Sequence, residues 1–94
     1  MRLVTGAEQW QDDVPAGPGG VMTDEVGIVT GPLTVRTTVA GGGLVRFEVQ
    51  YKDADEWYTL TGSPRPGHGA PAALHAAAVA AVRAGGGAVA PRTG

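Results

Sequence analysis

The chain has 94 residues, room for one domain and no second independent core, and carries a formal charge of −2 with no cysteine, which excludes disulfides, a thiolate nucleophile and Cys-ligated zinc. No apolar run approaches the roughly 18 residues of a membrane span, and residues 1–6 lack the apolar core of a secretory leader, so a cytoplasmic protein without a membrane contact is expected. The charge is −4 over residues 1–32 and +2 over 33–94, too sparse for the basic field that neutralises several phosphates at once, and a nucleic-acid partner is not expected.

Gly and Pro supply 23 residues, clustered at 15–20, 41–43, 62–71 and 85–87, where they punctuate the chain. The many Ala and Gly residues and the preference for Arg over a single Lys are also what a GC-rich bacterial genome writes. The first six residues read as a short strand, and Thr5 and Glu8 stand at capping-box spacing, which predicts a short helix following it. Residues 7–24 otherwise read as loop-rich. Residues 21–30 form a candidate strand, interrupted at Gly31-Pro32 because proline cannot donate to a ladder.

The middle of the chain is more legible. Leu33, Val35, Thr37 and Val39 alternate with Thr34, Arg36, Thr38 and Ala40, and after three glycines Val45, Phe47, Val49 and Tyr51 alternate with Arg46, Glu48 and Gln50. A turn at Gly41-Gly42-Gly43 sets Val39 against Val45, Thr37 against Phe47, Val35 against Val49 and Leu33 against Tyr51, with Arg36 across from Glu48 on the other face. A slip of one residue would scatter the apolar face. A four-residue loop, Asp53-Ala54-Asp55-Glu56, then predicts a third strand pairing Tyr51 with Tyr58 and Val49 with Leu60, and leaves Trp57 on the polar face.

Residues 62–71 are too rich in Gly and Pro for regular structure, and Pro71 suits the first turn of a helix running from Ala72 to Ala84. Gly85 stops it, and Arg83 complements the negative end of its dipole. Leu74, His75, Ala78, Val79 and Val82 form the core-facing stripe; Ala73, Ala76, Ala77, Ala80 and Ala84 lie opposite. The expected fold is α+β: an antiparallel meander of three strands, four if 21–30 joins, with one C-terminal helix packed on one face and a short helix before the sheet. The ordered core is expected at about 26–85, followed by a flexible tail over 87–94.

Functional candidates follow from these faces. An uncharged alanine face predicts close approach of a second copy or another protein, and a homodimer is expected. On the polar sheet face Arg36, Arg46, Lys52 and Trp57 could hold a ligand or a partner; the alternative is that the N-terminal segment with Trp10 covers Trp57. Arg65 and His68, in a loop just ahead of the helix, are candidates for holding an anion such as phosphate, or for a small enzyme site. His75 reads as a satisfied core histidine. No catalytic motif is present: Ser63, the only serine, has no nucleophile elbow around it, and the acidic turn lacks the glycine and glutamate of a calcium loop. No cofactor or metal site is expected. The function expected first is therefore a small interaction or accessory module.

A helix at Thr5, three strands and a last helix would make an order that resembles the double-stranded-RNA-binding domain, with Phe47-x-Val49, Gly62-Ser63 and the alanine-rich helix at the corresponding places. The resemblance implies RNA binding as an alternative function. The lysines by which that family grips phosphates are replaced by Ala70, Pro71, Ala72 and Ala73.

Overall fold

The computed structural model describes residues 2–4 and 7–92. Its elements are β1 (Arg2–Val4), β2 (Ala7–Pro15), β3 (Val21–Thr23), β4 (Gly27–Val29), β5 (Pro32–Val39), a 3₁₀ turn (Gly41–Gly43), β6 (Leu44–Tyr51), β7 (Tyr58–Thr59), β8 (Arg65–Pro66) and α1 (Pro71–Ala84). An open antiparallel sheet runs β1-β2-β5-β6-β7, with β8 beside β7 on the same edge of β6, while β3 and β4 pair separately. The fold is α+β with an antiparallel sheet and a C-terminal helix, as expected, and α1 is the one α-helix among the described residues.

The central hairpin has the register that the alternation dictates, Leu33 against Tyr51, Val35 against Val49, Thr37 against Phe47 and Val39 against Val45. The inward side chains of both strands are buried except at the ends, where Val39 is half-buried and Tyr51 is 43% exposed. Gly42 and Gly43 have φ of 72° and 74°, the left-handed conformation in which glycine avoids a Cβ clash, and this lets the turn close. Leu74, Ala78 and Val82 of α1 pack onto this face, and Val14, Val21, Val29, Leu60 and Ala90 complete the core.

Four expectations need correction. The chain over Ala7–Pro15 is a nine-residue strand rather than a helix; Thr5, the proposed cap, lies outside the described residues. Pairing with β5 along seven positions outweighs the single local capping signal. The order helix, three strands, helix is thereby lost, and with it the topological likeness to the double-stranded-RNA-binding domain. The third strand is two residues long and slipped by two, with Val49 against Tyr58 and the Leu60 N–H donating to the Phe47 carbonyl. A slip of two keeps Tyr58 and Leu60 on the same face, so alternation alone could not exclude it. Within 62–71, Arg65–Pro66 pairs with Leu44 and Val45.

The Gly/Pro segments interlock. The Gly17 N–H donates to the Val82 carbonyl, one of the last acceptors of α1, the Gly86 N–H donates to Pro18, and the Gly87 and Ala88 N–H groups reach the Gly20 carbonyl. Beyond them the 88–90 segment is bonded into the fold: Ala88 bridges Val21 in parallel, and Ala90, buried, donates to the Thr61 carbonyl.

Candidate functional site

The sheet face turned away from α1 carries Arg36 at its centre. Its Nε and Nη2 lie 3.1 and 2.8 Å from Glu48 Oε1, the cross-strand partner foreseen from the register, and its Cζ sits 3.8 Å from the centre of the Trp57 ring. Trp57 is thus half-buried against Arg36. Trp10 does not cover it, being on the opposite face, where it stacks on His75 at 6.5 Å. Lys52 is held near Asp13 at 3.6 Å and Asp53 at 3.8 Å, and Arg46 is exposed on the strand next to Arg36. The four side chains share a face, but two are spent on acidic neighbours.

Arg65 and His68 are brought together with a residue that the sequence did not single out. Arg65, Pro66, His68 and Arg92 line a surface cleft of about 320 Å³. Pairing of β8 with β6 positions Arg65, whose Nη2 donates to the Ala90 carbonyl at 3.3 Å. Its Nε is buried with no acceptor among the described residues, a deficit that costs about 1–3 kcal/mol where no water compensates. His68 has φ 49°, a conformation unusual for a residue with a Cβ, between Gly67 and Gly69, either of which would adopt it freely. No carboxylate is among the described lining residues. The return of the 88–90 segment carries Arg92 to the cleft, a non-local event with no local signal. Ser63 is elsewhere employed: its Oγ accepts the Phe47 N–H at 2.9 Å, bridging the gap between β7 and β8.

His75 is satisfied on both ring nitrogens. Asp12 Oδ2 lies 2.7 Å from Nε2 and Thr37 Oγ1 lies 2.7 Å from Nδ1. With the neutral ring donating from Nε2 to the carboxylate, Nδ1 accepts the threonine hydroxyl. This Asp-His-Thr series resembles an activated nucleophile in connectivity, yet Thr37 is 0% exposed, so no substrate reaches its oxygen. The series anchors α1 to β2 and β5.

Glu25 and Tyr58 have shifted acidities. Both oxygens of Glu25, at the β3–β4 turn, accept from Thr59, and these hydrogen bonds outweigh partial desolvation and hold its carboxyl below the ordinary 4.5. The Tyr58 phenol is raised by desolvation and by the neighbouring Glu56 carboxylate. On α1, Ala73, Ala76, Ala77, Ala80 and Ala84 are all exposed. Comparison with protein-family models, curated proteins and solved structures finds no match.

Proposed function

We propose that this domain is a small accessory binding module that holds an anionic group between Arg65, His68 and Arg92. The observation that carries this reading is the cleft itself, a concave site with two guanidinium groups and an imidazole and no acidic residue among its described lining. Guanidinium groups present several N–H donors in a planar fork and stay charged at any physiological pH, so an oxyanion is the complementary guest. A binding role is favoured over catalysis because the His75 series is closed to substrates. Titration of the ¹⁵N-labelled protein with inorganic phosphate and acetate at low salt is the test. Saturable shifts confined to the Arg65, His68 and Arg92 signals are expected with at least one anion; unchanged spectra with both would remove the reading.

Self-association is a second reading, favoured by the exposed alanine face of α1, which offers methyl groups with Arg83, at its C-terminal edge, as the one charged side chain of the helix. Small side chains let two helices approach closely. A dimer mass by light scattering at high micromolar concentration, lost in Ala77→Glu, is the expected result. A monomer mass for the unaltered chain would dispose of it.

A further inference from the structure

We infer that the cleft is built for a phosphate monoester of a small organic molecule and not for a lone carboxylate; this rests on the anion-binding reading above. Arg65 and Arg92 place two fixed positive charges around one concavity. A carboxylate brings one charge and two oxygens, enough to satisfy a single guanidinium fork. A phosphoryl group brings a charge of about −1.5 to −2 at neutral pH and three terminal oxygens, enough for the Arg92 fork, for the Arg65 N–H groups left over from the Ala90 carbonyl and for the His68 imidazole as a third contact.

Space argues for an organic remainder. At about 320 Å³ the cleft is at the small end of the range in which proteins hold small molecules. The volume is well beyond a phosphoryl group, since a single water occupies about 30 Å³ in the liquid. Pro66 supplies an apolar wall against which a short carbon chain can lie.

The two arginines are prepared differently. Arg65 is half-buried, tied through Nη2 to the Ala90 carbonyl and backed by Gly62, where a Cβ would press on the guanidinium. It is therefore already immobilised, and binding costs it little further side-chain entropy. Arg92 is exposed and lines the same cleft, so its guanidinium is open to solvent and to a guest. His68, exposed beside them with its left-handed backbone, reaches the same concavity.

The experiment compares glycerol phosphate, inorganic phosphate, acetate and a short phosphoserine peptide by calorimetry and by ¹⁵N chemical shifts at pH 7.5 and low salt. Glycerol phosphate is expected to bind roughly tenfold or more tightly than acetate, with weakening as salt rises. Arg92→Gln, an exposed change that leaves the fold intact, is expected to lower glycerol phosphate affinity by about tenfold, and Arg65→Gln by at least as much. If acetate binds as tightly as glycerol phosphate, the anion site stands and its phosphomonoester class falls. If the phosphopeptide binds and glycerol phosphate does not, the small-molecule assignment falls. If no probe moves the cleft signals, both readings fall together.

Discussion

Thr37 occupies an inward position of β5 where an aliphatic side chain would serve the core, and its hydroxyl is acceptable there only because His75 takes it up. Thr37→Val keeps the shape but strands the His75 Nδ1 in the core, and is expected to lower stability by about 1–2 kcal/mol. The same change in a His75→Leu background is expected to cost less, because nothing is then left unpaired; denaturant titrations of the four chains measure the coupling. A different residue-scale constraint operates where the Pro15–Gly20 loop meets the end of α1. A methyl at Gly17 would strike the Arg83 and Ala84 carbonyls, and one at Gly85 would strike Gly17 and Pro18. Gly17→Ala is expected to cost about 2–3 kcal/mol, whereas Gly41→Ala, where a Cβ meets nothing within 4 Å, is expected to stay within about 0.5 kcal/mol.

Among the elements, the β5–β6 hairpin was legible because its information is local: period-two alternation on both sides of a glycine turn admits one register. The third strand was legible in place but not in length or register, since β7 is held less by its own pattern than by Trp57 over Arg36, the Tyr51–Tyr58 edge contact at 6.3 Å and Glu25 across from Thr59. Trp57→Ala is expected to lower stability by roughly 0.5–1 kcal/mol, the scale of a partly exposed cation–π contact, with the Arg36–Glu48 pair retained. Glu25 supplies a pH dependence. Its carboxyl titrates lower in the folded chain than in the unfolded one, so its contribution is present above pH 4.5 and is lost as pH falls through the folded value. Glu25→Gln is therefore expected to lower stability slightly near pH 7 and to flatten the acid limb, so that the two chains converge as pH falls below 4.5.

For the whole molecule, one side of the sheet is closed by α1, the β3–β4 pair and the returning 88–90 segment, while on the other Trp57 lies over Arg36. Ala88 accepts the Met22 N–H and Ala90 is buried in the core, so this segment is structural as well as the carrier of Arg92. Ending the chain at Gly87 is expected to cost about 2–3 kcal/mol from the lost hydrogen bonds and buried methyl surface, read as a lower denaturation midpoint. It is also expected to abolish any anion effect at the cleft.

The sequence by itself determined the fold class, the central hairpin with its register, the extent and buried stripe of α1, and the place of Arg65 and His68 in one loop. Each depends on residues within a turn or a hairpin of one another, where alternation, helical period and Gly/Pro punctuation act directly. Only the tertiary structure decided that residues 7–15 extend along β5, that Asp12 reaches His75 sixty-three positions away, and that Arg92 joins the loop to make a cleft. Those pairings are chosen by closure of the core, where burying Val14 and Ala90 outweighs whatever the local segments would prefer alone.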